Sequence, residues 1–430
     1  MSAAEDTRQK PVLISCHECG LLHRVKPLPR GAKAKCSRCG FVFYRNKRNG
    51  NDRAIALNVS ALIFFVLANI YPFMTFKLEG REQINTLISG VIEFYQRDLW
   101  FLAILVFGVT ILVPLLKILA TLYVLIPIKL KRKSKGAITV FRCVEILHPW
   151  AMMEVYLLGV LVAIVKLSDL ATIEFGPAIY CFAILIVLMV AAEAALEPHD
   201  VWEELQKAKP LSGERRQSTV PAANNGTTLL ACHACDLVSR FTKTVAKGHP
   251  ACPRCGTKLH HRKTNSINRT WALVITAFIL YIPANVYPVM TVISFGKGEP
   301  DTILSGVIHL IEADMWPLAL LVFFASVTVP MLKLLGLTFL LLTVQRSSHW
   351  RPRDRTVLYR IVESVGRWSM IDIFMISILV ALVKLGSIAT IEPGVGSTSF
   401  AAVVVVTMFA AMTFEPRMIW DRIEERERRV

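Results

Sequence analysis

The octapeptide Ala68-Asn69-Ile70-Tyr71-Pro72-Phe73-Met74-Thr75 returns as Ala284-Asn285-Val286-Tyr287-Pro288-Val289-Met290-Thr291. Each copy closes a long apolar run. Proline removes an amide donor and restricts the residue before it, so a helix ends or kinks there. Asparagine and tyrosine suit a boundary with one wet and one apolar side. Asn69, Tyr71, Pro72, Asn285, Tyr287 and Pro288 are therefore read as a boundary motif. Two copies inside longer similarity, all at one offset, mark a duplicated unit.

The similarity extends outward. Leu87-Ile88-Ser89-Gly90-Val91-Ile92 returns as Ile303-Leu304-Ser305-Gly306-Val307-Ile308, and Val113-Pro114-Leu115-Leu116-Lys117 as Val329-Pro330-Met331-Leu332-Lys333. Further on, the second copy has a slightly longer loop and the match resumes beyond it. Glu145, Trp150, Lys166, Glu174 and Glu197 return there as Glu363, Trp368, Lys384, Glu392 and Glu415.

Composition fixes the class. Of 430 residues 54% are hydrophobic and 19% charged, against about 25% charged in soluble proteins. The apolar residues gather in runs of about 20, the length that crosses a bilayer. Spans are expected over residues 54–74, 99–127, 150–167 and 177–196, then 271–290, 315–344, 368–385 and 400–414. The net charge of +17 is read as cytoplasmic loops and lipid contact before nucleic acid. The basic loops (Lys129 to Arg142; Arg346 to Arg367) follow the second span of each unit, so that side is the cytoplasmic one. The stretch from Met1 to Lys10 is polar and no secretory signal is visible, so the N-terminal segment is expected to stay in the cytoplasm.

Ahead of each set of four spans stands a cysteine pattern, C-x2-C-x16-C-x2-C. Cys16, Cys19, Cys36 and Cys39 form it first, and Cys232, Cys235, Cys252 and Cys255 repeat it with the same spacing. Two such turns present four thiolates to one tetrahedral ion. Disulfides are the other reading, and a reducing compartment disfavours them. Four protein ligands leave no open position, so the expected zinc is structural. The chain is thus expected to be an all-α polytopic membrane protein of two tandem parallel units. Each unit is a small cytoplasmic zinc ribbon plus a four-helix bundle. The boundaries are 1–50, 51–197, 198–228 (linker), 229–264, 265–416 and 417–430 (charged tail).

Charges inside the spans are costly, at least about 2.5 kcal/mol for a lone one. Lys117 and Glu154 are expected to pair, as are Lys333 and Asp372. Lys166 and Lys384 lie several helical turns beyond those acids, too far to join them, and Glu174 and Glu392 are their expected partners. Such pairs either glue helices together or line a polar cavity for a lipid headgroup or a proton path. No P-loop and no hydrolase-like cluster is present.

Two four-cysteine ribbons, each followed by four spans, with N-x-Y-P-x-M-T closing the first span, resemble the paraquat-inducible protein A family (PqiA/LetA, YebS-like). The resemblance implies a Gram-negative inner-membrane protein with zinc in both ribbons. It also implies a periplasmic MCE-domain tunnel protein as partner and phospholipid as cargo, without enzyme activity. A membrane redox enzyme or redox/zinc sensor using the cysteines is the alternative.

Overall fold

The computed structural model describes residues 12–421, apart from 27, 30, 48, 79–80, 133, 168–171, 209–226, 243–249, 295–296, 313, 347 and 383–388. Among the described residues eight helices are long and apolar enough to cross a membrane. The first unit's spans are Gly50–Ile70, Trp100–Lys129, Ala137–Val165 and Pro177–Ala195. The second unit's are Ser266–Val286, Trp316–Gln345, Pro352–Leu382 and Val395–Thr413. In each unit the first span lies along the fourth.

Both third spans begin well before the expected Trp150 and Trp368. Their opening segments, Ala137–Leu147 and Pro352–Val365, carry Arg142 and Glu145, and Arg353, Arg355 and Arg360. These charges made them read as loop. They are amphipathic helices, with Phe141, Val144, Tyr359 and Val362 turned inward.

The boundary motif ends each first span as expected, but earlier, at Ile70 and Val286. Asn69 and Asn285 donate their side-chain amides to the carbonyls of Phe65 and Tyr281, each at 2.8 Å. The chain then becomes a strand. Met74–Leu78 pairs antiparallel with both Arg81–Asn85 and Thr172–Phe175, and Met290–Ser294 with Lys297–Asp301 and Ala389–Pro393. Connections expected to be plain loops therefore build a three-stranded sheet in each unit. The sheet joins the link between spans one and two to the link between spans three and four.

Each sheet closes on its fourth span through one tight contact. The Gly176 amide donates to the Phe73 carbonyl at 3.1 Å, and the Gly394 amide to that of Val289 at 2.9 Å. A Cβ on Gly176 would stand 2.1 Å from the Pro72 carbonyl oxygen, and one on Gly394 would stand 2.2 Å from that of Pro288. The proline and the glycine are therefore two halves of one joint.

The units meet along their third spans. A Cβ on Gly159 would come within 2.9 Å of the Phe374 Cβ, and the Tyr156 and Phe374 rings are 5.3 Å apart. Every residue of Ile371–Leu382 is buried, whereas Leu161 on the first unit's third span is 55% exposed. The two ribbons touch through an ion pair between His17 and Asp236, and Arg97 reaches Glu392 on the sheet side at 3.5 Å. Ribbons on one face and sheets on the other make the units parallel.

The ribbons are crossed. Cys16, Cys19, Cys36, Cys39 and the neighbouring Leu21, Phe41 and Phe43 share a core with Leu337, Tyr359, Phe414 and Trp420 of the second unit. The second ribbon's cysteines share one with Phe141, Val201, Trp202 and Leu205 of the first. The seats correspond, since Trp202 and Trp420 hold equivalent places in the two copies, five positions beyond Glu197 and Glu415.

Gly176→Ala and Gly394→Ala are each expected to lower the thermal midpoint of the purified protein, at a cost of about 1–3 kcal/mol. Midpoints unchanged from wild type, read by tryptophan fluorescence during heating, would refute the joint.

Candidate functional site

The four-cysteine clusters are both buried. In the first, Cys16 and Cys39 sulfurs lie 3.4 Å apart and Cys19 and Cys36 sulfurs 3.5 Å apart. In the second, Cys232 and Cys255 are 3.4 Å apart, and Cys235 and Cys252 are 3.6 Å apart. All sulfurs of a cluster lie within 4.8 Å of one another. Thiolates on a tetrahedral ion at about 2.3 Å stand roughly 3.8 Å apart, while a disulfide needs about 2.0 Å. The donor set therefore fits a four-coordinate metal. Each pair sits on a turn closed by an amide-to-carbonyl bond, as from Gly20 to Cys16 at 2.9 Å and Gly256 to Cys252 at 2.9 Å. Gly20, Gly40 and Gly256 take the left-handed backbone these turns need, and Asp236 takes it in the fourth. The carboxylate of Asp236 in turn raises the pKa of His17 above its ordinary value.

The buried lysines do not pair as the sequence suggested. The Lys117 ammonium makes its ion pair with Glu193 of the fourth span, and its Nζ lies 3.1 Å from His148 Nδ1. Glu154 instead faces outward. The sequence reading missed Glu193, although an acid inside the apolar stretch Ala192-Glu193-Ala194 was a visible signal. Asn58, Lys117, Glu145, His148 and Glu193 are among the polar residues lining a cavity of 470 Å³ toward the ribbon side.

Lys333, 1% exposed, has different company. Its ammonium donates to the Thr407 hydroxyl at 2.8 Å and the Gly366 carbonyl at 3.4 Å. At the positions of His148 and Glu193 the second unit has Gly366 and Ala411. Asp372 is buried, but it lines a separate 40 Å³ cavity toward the sheet, together with Asp301 and Thr302. Between the two ends lie Ser326 and Ser369, buried hydroxyls with no hydrogen-bond partner among the described residues. Gly366, Ser369 and Asp372 follow at intervals of three along one helical stripe. The first unit has His148, Ala151 and Glu154 at those places. In both units a π-helical turn, Gly108–Leu112 or Phe324–Thr328, precedes the lysine helix, a distortion often found at functional sites. Lys333 also borders a 520 Å³ cavity on the ribbon side, with Arg360, Glu363, Met408 and residues of the first ribbon.

Glu174 pairs with Lys77 across its sheet at 2.8 Å, and Glu392 is reached by Arg97. Lys384 and the side chain of Lys166 lie outside the described residues. So do most of the expected linker, residues 209–226, and the tail from 422.

The family model described as paraquat-inducible protein A matches residues 52–206 and 267–424. The chain is 33% identical over 419 residues to the intermembrane transport protein PqiA of Escherichia coli, covering 96% of this chain and 97% of that protein. It is 27% identical over 417 residues to the lipophilic envelope-spanning tunnel protein A of Escherichia coli, covering 95% and 91%. It is also 27% identical over 425 residues to a probable intermembrane transport protein of Haemophilus influenzae, covering 97% of each. No solved structure matches the chain.

Glu193→Gln should leave the Lys117 charge uncompensated and destabilise the protein by about 1–3 kcal/mol, discounted for the partial exposure of Glu193. Adding Lys117→Met should restore most of that loss. Thermal unfolding of the single and double variants measures this, and equal loss in both would contradict the pairing.

Proposed function

This chain belongs to the paraquat-inducible protein A family, and from that premise we propose that it is the inner-membrane component of an intermembrane phospholipid transport system. Its parts divide at the boundaries read from the sequence with two changes: Pro198–Ala208, expected as linker, is a helix packed on the first unit, and Trp420, expected in the tail, is buried on the second. The ribbons and both termini are assigned to the cytoplasm. It is a multi-pass membrane protein whose relatives are named as transport proteins. Transport, rather than catalysis, is the activity assigned to it.

One observation carries the reading. Two cavities of 470 and 520 Å³ each end on a lysine buried in an apolar helix, and both volumes fall within the range of small-molecule sites. A phosphate-bearing headgroup is the natural counter-charge for a buried ammonium. In the first unit Glu193 already supplies that charge. In the second, Lys333 has only a hydroxyl and a carbonyl among the described residues, so it is the stronger candidate for the headgroup. The stripe from Lys333 through Ser369 to Asp372 is the proposed proton path, because buried hydroxyls without partners cost about 1–3 kcal/mol each and suit a hydrated route. The outer sheets would seat a periplasmic MCE-domain tunnel protein. Zinc would sit in both cysteine clusters, held by Cys16, Cys19, Cys36 and Cys39 and by Cys232, Cys235, Cys252 and Cys255. It would supply structure, since a ribbon this small has too little core to fold alone.

Two outcomes test this. Lys333→Met should abolish crosslinking of a photoactivatable phospholipid to the second unit and weaken envelope protection, with protein levels unchanged. Lys117→Met should reduce crosslinking far less, and undiminished crosslinking in the Lys333 variant would sink the headgroup reading. Purified protein should carry zinc in both ribbons and no visible chromophore. A flavin, quinone or haem spectrum would favour a redox protein instead.

A further inference from the structure

The 520 Å³ cavity beside Lys333 is not enclosed by its own unit. Glu18, Gly40, Phe41 and Val42 of the first ribbon line it, opposite Arg360, Glu363 and Ala411. One contact dominates the seam. Both carboxylate oxygens of Glu18 accept from Arg360 Nε at 2.7 Å, and Arg360 Nη2 donates to Glu18 and, at 3.1 Å, to the Cys39 carbonyl. The Glu18 side chain is 8% exposed and that of Arg360 31%, so the carboxylate is shielded while the guanidinium keeps an edge to water. Arg417 Nε donates to the His17 carbonyl at 3.0 Å, and the Arg38 guanidinium lies 4.8 Å above the Trp420 ring.

The equivalent seam of the other half lacks this contact. Arg142 corresponds to Arg360 and Ala234 to Glu18. Among the described residues Arg142 reaches the Thr257 hydroxyl, at 3.4 Å, and no carboxylate. The 470 Å³ cavity beside Lys117 has no residue of the second ribbon in its lining. Among the described residues, a bidentate ion pair from a ribbon to the other unit is found only where that ribbon lines a cavity; the second ribbon's bidentate pair, Arg262 with Asp421, stays within its own half.

We propose that the first ribbon is a movable wall over the second unit's lysine cavity, and that the Glu18–Arg360 pair is the latch that holds it shut. This deepens the reading of that cavity as a ligand site and rests on it. The backbone connection leads the first ribbon into the first unit, while the latch fastens it to the second. Movement between the two units would thus pull on the wall, and an opening of the wall would admit the headgroup from the ribbon side. The second ribbon, without a latch, is assigned a fixed structural role.

The test uses the full chain in lipid nanodiscs, carrying Cys143→Ser, Cys181→Ser and Ala411→Cys. A charged, water-soluble maleimide reports access to position 411, after subtraction of the signal from the same chain with Ala411 intact. Glu18→Arg should raise the labelling rate about tenfold or more. The swap Glu18→Arg with Arg360→Glu should return it to the parent rate. Metal content confirms that the ribbons remain folded. Glu18→Gln, which removes the charge without added bulk, replaces Glu18→Arg if that variant loses metal. Equal rates in parent and latch variants, or a swap that leaves the rate high, would overturn the latch. Labelling reads access and not lipid, so this result is separable from whether phospholipid is the ligand.

Discussion

A ribbon of about 35 residues cannot bury enough apolar surface to stand alone. Here each ribbon finds the missing surface on the other half of the chain. Leu21, Phe41 and Phe43 meet the seat formed by Phe414 and Trp420, while the second ribbon rests against Phe141 and Trp202. This exchange ties together halves that the sequence presents in tandem. The third spans reinforce it by crossing at Gly159, where backbone and Phe374 are in close contact. One core cluster consequently runs through both units, and neither half can shift without involving the other.

Within that shared frame the halves have diverged. Both keep the proline-to-lysine sequence of the second span and the π-helical turn before it. Both must compensate an ammonium in an apolar helix, since a lone charge there is costly. The first does so internally, with Glu193 and His148. The second leaves Lys333 among neutral oxygens and adds Ser369 and Thr407 where the first has Ala151 and Met189. It also has the more deeply buried third span and the latched ribbon. A duplicated scaffold has in this way acquired one half whose buried ammonium meets a carboxylate and one whose buried ammonium meets neutral oxygens.

Much of this was legible in the sequence. Apolar runs located eight spans, the repeat paired them, and cysteine spacing located both four-cysteine clusters, because length, period and ligand spacing are local properties. The pairing of Lys117 with Glu193 was not legible as made. Depth alone favoured Glu154, but a partner must also face the lysine, and facing is settled by helix packing. The outer sheets were hidden because Met74–Leu78 is an ordinary continuation of an apolar span until Pro72 is seen to meet Gly176. The amphipathic starts of the third spans were masked by their arginines. Most remote from the sequence was the crossing of the ribbons, since nothing in a tandem order says which surface a ribbon will choose.

That crossing can be measured directly. The chain would be expressed as two pieces divided within residues 209–226, with benzoylphenylalanine replacing Phe41. On irradiation the account predicts a covalent product joining the two pieces, because Phe41 lies against Arg360 of the second unit. Crosslinks confined to the N-terminal piece would place the first ribbon on its own bundle and contradict the account.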